Sequence, residues 1–177
     1  VTRSLLFVNT NELGALHLIE AAPEGAALPY RRTSPAGEYA RFWDKDRLPC
    51  QQPPWGLLQA VDLKAGEIVW RTPLGNAPKL AERGITGTGT PNLGGAIATA
   101  SGLVFIGASN DARIRAFDGA QGRVLWEAEL PASGHATPLT YRGPSSGRQF
   151  VVIAAGGGGR FSATVSDAIV AFALPRP

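Results

Sequence analysis

Few residues of this chain have the type and spacing that chemistry needs. The run Gly156-Gly-Gly-Gly159 suggests a loop that cradles a phosphate with backbone N–H groups at the start of a helix. It follows a strand-like run, but Arg160-Phe-Ser-Ala-Thr-Val165 after it is β-prone, so no helix N-terminus stands there and the phosphate reading fails. His17 and His135 have no partner cluster, which removes them as metal ligands or general bases. The 14 acidic residues include no pair set apart as a general acid and base, and most sit in turns or in a long insertion. Cys50 is the single cysteine, which excludes an internal disulfide and a cysteine-based zinc site. Asp111, in Ser109-Asn-Asp-Ala112, lies in a tight turn, and Asn-Asp is its own explanation of a hairpin.

The elements that would position these residues are short strands. Between 94 and 128, apolar runs at 96–100, 103–108, 114–117 and 124–126 are separated by Ser-Gly, by Ser-Asn-Asp-Ala and by Asp118-Gly-Ala-Gln-Gly122, all turn-forming. Strands this short and this tightly joined form an antiparallel meander, a four-stranded sheet the size of a propeller blade, about 40–50 residues with its connections.

That blade contains half of an internal repeat. Ala60-Val-Asp62-Leu-Lys-Ala-Gly66-Glu-Ile-Val-Trp70 and Ala116-Phe-Asp118-Gly-Ala-Gln-Gly122-Arg-Val-Leu-Trp126 share the spacing Ala-x-Asp-x-x-x-Gly-x-x-x-Trp. Asp caps the turn by accepting backbone N–H bonds, Gly takes a positive φ, Trp offers a flat surface to a neighbouring sheet, and the small Ala leaves room for close packing. Asp62, Asp118, Trp70 and Trp126 are therefore read as structural, and Trp55 as packing the insertion against its blade. Weaker echoes occur at 167–174 and at Leu5-Leu-Phe-Val8, where 9–14 is expected to form the hairpin loop, with Asn11 a turn residue. The layout expected is an all-β partial propeller in a single domain, 1–177. An incomplete blade at 1–72, lacking its innermost strand, carries an insertion at 20–54. A complete blade follows at 94–128, then an incomplete one at 136–174 that lacks its outermost strand. Unpaired strand edges must be covered, so the partner expected is the rest of a larger propeller or a second copy.

A 177-residue chain that is 44% hydrophobic can bury one core. Its Gly and Pro, 22 and 14 residues, are spread between apolar runs as in turn-rich β protein. The net charge of +3 is scattered, and no basic cluster with interleaved aromatics supports nucleic-acid binding. No apolar run approaches the ~20 residues needed to cross a bilayer. The start, Val1-Thr-Arg-Ser-Leu-Leu-Phe, enters a strand without an initiator Met or a signal-peptide pattern, as a piece of a longer chain would.

The repeats, together with Leu48-Pro-Cys-Gln-Gln-Pro-Pro-Trp-Gly56, Thr90-Pro-Asn-Leu-Gly-Gly95, Leu103-Val-Phe-Ile-Gly107, Ala136-Thr-Pro138 and Gln149-Phe-Val-Val-Ile-Ala-Ala-Gly-Gly157, resemble the C-terminal part of pyrroloquinoline-quinone (PQQ)-dependent dehydrogenases. The likeness is to the membrane-bound glucose and quinate dehydrogenase branch and covers nearly the whole chain. It implies an eight-bladed propeller holding PQQ and a Ca²⁺ or Mg²⁺ ion on its axis, facing the periplasm and anchored to the inner membrane. The reaction implied is oxidation of a sugar or polyol, with electrons passed to ubiquinone. By the same resemblance Asn9, in Phe7-Val-Asn-Thr-Asn11, stands where the family places an Asn against the quinone, a task that suits a carboxamide because it donates and accepts without adding charge. Asp111 matches an acidic position near the axis, where it would support the metal or the quinone surroundings. The loop that usually reads Gly-Gly-His-Gly has Gly158 at the histidine position. The family's catalytic Asp and most cofactor contacts fall in earlier blades, so no catalytic residue is expected here and the chain alone is expected to be inactive. The competing expectations are a non-catalytic scaffold propeller, which shares the Trp repeat but has no use for the long insertion, and a fragment that folds only as an oligomer.

Overall fold

The computed structural model describes residues 4–34, 41–159 and 162–175. Two compact units emerge, one made of 1–12 and 53–177, the other of Leu13–Gln52. The first is a series of antiparallel blades. Strands β1 (Leu5–Asn11), β4 (Gly56–Asp62) and β5 (Glu67–Pro73) form a three-stranded sheet in that order. Strands β6 (Ala96–Ala98), β7 (Leu103–Ile106), β8 (Arg113–Asp118) and β9 (Val124–Glu129) form the four-stranded one. Strands β10 (Leu139–Arg142), β11 (Gln149–Ala154) and β12 (Ile169–Ala173) form the last. The single helix among the described residues, α1 (Pro78–Ala81), lies in the connection between the first two blades.

The repeat behaves as its chemistry dictates. Asp62 Oδ1 accepts from the N–H groups of Lys64 and Ala65, and Asp118 Oδ1 accepts from that of Ala120. Gly66 and Gly122 close the turns at φ +72° and +70° by donating to the Asp62 and Asp118 carbonyls. Both turns follow a register shift, between Ala60 and Val61 in one blade and Ala116 and Phe117 in the other. Ala60 pairs across the sheet with Phe7 on one side and Trp70 on the other, and Ala116 pairs likewise with Phe105 and Trp126. A larger residue at either position would push two aromatics apart.

The core lies between blades. Leu58, Leu74, Val104, Ile106, Ala108 and Phe117 fill the first interface, with Phe7, Trp70 and Ala96 at its margin. Ile114, Leu130, Val151, Ile153 and Ala155 fill the second, with Phe105, Ala128, Val170 and Phe172 around them. The middle blade thus buries both faces, which is why β8 is buried along four consecutive positions instead of alternating.

The excursion between β1 and β4 forms the other unit, Leu13–Gln52, where an insertion at 20–54 was expected. It starts earlier because Glu20 sits inside strand β2 (Leu18–Ala21), which pairs with β3 (Tyr30–Thr33). The expected hairpin loop at 9–14 does not exist. β1 runs through Asn9 to Asn11 and pairs with β4 across the excursion, so Asn9 is a strand residue opposite Leu58.

Candidate functional site

Polar side chains converge at one end of the bladed unit. β1 delivers Asn9, Thr10 and Asn11 to this end as its last three residues. The segment 88–92 meets the backbone just before β4 and just after β5. Trp55 N donates to Thr88 O at 2.8 Å, Leu74 N to Gly56 O at 2.9 Å, and Thr90 N to Leu74 O at 2.9 Å. A Cβ on Gly56 would stand 1.9 Å from Thr90 O, so the Gly of Pro-Pro-Trp-Gly is required by this approach. The buried Trp55 is anchored to the same segment.

Asn92 joins the elements. Buried to 1% exposure, it accepts from Asn9 Nδ2 at 2.7 Å, donates from its own Nδ2 to Thr10 O at 2.9 Å, and exchanges two backbone bonds with the Asn11 side chain at 2.8 and 2.9 Å. Asn11 is therefore a docking residue and not the turn residue expected. Asn92 also bridges Ser109, in the hairpin between β7 and β8.

That hairpin holds Asp111 in a buried ion pair. Arg115 reaches it at 2.5 and 3.1 Å, Ser109 Oγ donates at 2.7 Å, and the Asn76 N–H donates at 2.9 Å. Side-chain exposure of the pair is 5% for Arg115 and 8% for Asp111. Four donors occupy the acceptor sites of one carboxylate, so Asp111 ties the inter-blade connection at Asn76 to the hairpin, and any ligand contact would have to displace one of them. Thr90 Oγ1 accepts from Asn110 N at 2.8 Å. The hairpin bends through positive φ at Ala108 (56°) and Ala112 (52°), conformations that cost non-glycine residues about 1–2 kcal/mol each.

The last blade adds two loops at the same end. Ala108 N donates to Gly134 O at 2.7 Å and Gly157 N to Ser133 O at 2.9 Å. Gly94, at φ +126°, lies so close to His135 that a Cβ would be 2.4 Å from its carbonyl oxygen. Burial lowers the pKa of His135 below its ordinary 6.5 by desolvation, so the imidazole is neutral at pH 7. Its Nε2, like Oδ1 of Asn110, is buried without a hydrogen-bond partner. Gly158 donates to Thr164 O at 2.8 Å, and Gly157 bridges Val165. The second and third glycines of the run thus pair with Val165 and Thr164, while Arg160 and Phe161 lie outside the described residues. His17 belongs to the Leu13–Gln52 unit.

This end carries uncharged donors and acceptors around one buried ion pair, Asp111 with Arg115. The Oδ1 of Asn9 has no hydrogen-bond partner among the described residues, and it is an uncharged acceptor of the kind that a planar, polar ligand such as PQQ would meet. Among the described residues, no three His, Cys, Asp or Glu side chains come together. Of the residues singled out from sequence, Asn9 and Asp111 reach the same end. Asn92, Thr90, Ser109 and Arg115 were not singled out. Asn92 and Thr90 lay in plain view in Thr-Pro-Asn-Leu-Gly-Gly, but their partners are up to 83 positions away.

Residues 2–151 match the family described as glucose/ethanol/alcohol dehydrogenase, PQQ β-propeller domain. The chain is 45% identical over 142 residues to quinoprotein glucose dehydrogenase A of Acinetobacter calcoaceticus, covering 78% of this chain and 18% of that protein. It is 35% identical over 196 residues to the quinate/shikimate dehydrogenase (quinone) of Acinetobacter baylyi, covering 99% of this chain and 24% of the relative. Among solved structures, a europium-containing methanol dehydrogenase aligns with a TM-score of 0.59 and 26% identity, over 90% of this chain and 24% of that one. The chain thus spans about a fifth to a quarter of the length of these proteins.

Proposed function

Because this chain belongs to the PQQ β-propeller family of glucose, ethanol and alcohol dehydrogenases, we propose that it is the C-terminal segment of an enzyme that oxidises a sugar or polyol, glucose-like or quinate-like, and passes the electrons to membrane ubiquinone. The observation that carries the reading is the polar end built on Asn9, Asn92, Thr90 and Asp111. When bound, PQQ supplies the two-electron oxidant. Asn9 contacts it, and the Asp111–Arg115 pair holds the hairpin that carries Asn110 in place. The Ca²⁺ or Mg²⁺ ion and the carboxylate that takes the substrate's proton belong to other blades of the parent protein, which works in the periplasm on a membrane anchor.

The outer blades support the idea of a larger ring. Leu139 and Tyr141 on the last blade and Leu6 on the first are 54%, 44% and 44% exposed, and apolar faces of that kind are covered by further blades or by a second copy. By itself the chain is expected to bind PQQ more weakly than micromolar and to give no sugar-dependent dye reduction. The direct test is a chimera in which this chain replaces the matching segment of a quinoprotein glucose dehydrogenase. Sugar-dependent dye reduction by the folded chimera is the expected result, and a folded, PQQ-loaded but inert chimera would count against the reading.

A further inference from the structure

Asn92 dictates which end of the Asn9 carboxamide is on offer. Nδ2 of Asn92 lies 2.9 Å from Thr10 O and 3.3 Å from Thr90 O. Carbonyl oxygens only accept, so the group facing them is the NH₂, and the neighbours settle the orientation. Asn92 cannot turn, because both its backbone groups are tied to Asn11 and Gly56 crowds its Nδ2 so closely that a Cβ there would be 2.7 Å away. Its remaining polar atom, Oδ1, is an acceptor and takes the Nδ2 of Asn9 at 2.7 Å. Asn9 is thereby left with Oδ1, which has no hydrogen-bond partner among the described residues, on a half-buried side chain. The sequence-based expectation of a group that both donates and accepts is narrowed to an acceptor.

An acceptor discriminates between the two redox forms of a quinone. The oxidised form presents carbonyl oxygens, which only accept, and two oxygens facing each other lose the hydrogen bond and repel. Uptake of two electrons and two protons turns those carbonyls into hydroxyls, which donate. We propose that Asn92 is a positioning residue that turns Asn9 so that only its carbonyl oxygen meets the ligand, and that this end of the propeller therefore holds PQQ through an O–H of its reduced form in preference to the oxidised form. The proposal rests on the reading that the quinone lies at this end.

Two readouts on the full chain test the two halves separately. The first needs no ligand. NMR of the side-chain amides should show the Asn9 and Asn92 NH₂ protons protected from solvent exchange, and rapid exchange of the Asn9 NH₂ would overturn the positioning role. The second titrates oxidised PQQ, then dithionite-reduced PQQ without oxygen, to millimolar concentration while following the Asn9 and Thr10 resonances. The reduced form should bind about tenfold more tightly, the effect of about one hydrogen bond, which raises the potential of the bound two-electron couple by about 30 mV. Asn9→Ala, which removes the acceptor from a half-buried strand position, should bring the ratio within twofold. Equal binding of both forms, or tighter binding of the oxidised form by the unsubstituted chain, would overturn the redox preference. Absence of any shift with either form would remove the quinone reading and the redox preference together, while the exchange readout still judges Asn92.

Discussion

The indole of Trp70 lies over the turn of the next blade, with Nε1 donating to Gly119 O at 3.1 Å and its six-membered ring against Gly122. Trp126, at the same place in the following repeat, forms a T-shaped pair with Phe172, ring centroids 5.1 Å apart, and stays 38% exposed. The motif is identical in the two blades, but the receiving surface differs. Trp70 is received by the Asp118–Gly122 turn, while Trp126 meets the ring of Phe172 on β12. The repeat is thus half of an interface, and the following blade completes it.

Truncating the two tryptophans should separate these situations most clearly. Trp70→Ala removes a packed indole, a hydrogen bond and an aromatic contact with Phe7 at 5.9 Å, and is expected to cost about 3–4 kcal/mol of unfolding free energy. Trp126→Ala should cost about 1–2 kcal/mol, because more of its surface already faces water. Equal losses in urea unfolding would show that the two interfaces are equivalent after all.

The turn glycines sharpen the same contrast at smaller scale. Gly66 and Gly122 share a φ near +70°, but an added Cβ would meet nothing within 4 Å at Gly66 and would lie 2.5 Å from Trp70 Cε3 at Gly122. Gly66→Ala should cost about 1 kcal/mol from the left-handed backbone alone. Gly122→Ala adds overpacking against the indole and should cost about 2–3 kcal/mol. In a Trp70→Ala background the excess at Gly122 should disappear, a coupling that a double-mutant cycle reads directly.

The smallest effect expected is at the contact between the second and third blades, where His135 packs on Gly94. Desolvation depresses the folded pKa of His135 below 6.5, so the unfolded chain binds the proton more readily. Stability from this group is fully present above pH 6.5 and is lost as pH falls through the folded pKa. Unfolding midpoints measured between pH 5 and 8 should decline on the acid side in the native chain and flatten in His135→Gln. The same slope in both proteins would exclude the imidazole as its source.

Much of the bladed unit was legible because its signals are local. The Asp and Gly of each turn act within five residues, the strands alternate or run apolar over three to seven, and the shared motif revealed that 60–70 and 116–126 are copies. The site was less legible because its bonds are long-range. Asn9 stood out by resemblance alone, and the loop expected around it proved to be the end of β1, since the excursion conceals from the sequence that Asn9 pairs opposite Leu58. Asp111 could be placed in a hairpin turn, but not in a carboxylate–guanidinium pair with Arg115 that also receives Asn76.

Residue types and short spacings by themselves determined that this chain makes blades, where each turn falls, and which alanines and tryptophans pack between sheets, because those outcomes depend on backbone sterics and apolar periodicity within a few positions. Only the tertiary structure decided which polar groups meet, that Asn92 holds Asn9 by its amide nitrogen, and that the Asp111 carboxylate is already satisfied. Hydrogen bonds are directional and satisfied in pairs, and Asn92 meets Asn9 and Asn11 from more than eighty residues away, while the partners of Asp111 include Asn76, 35 residues away.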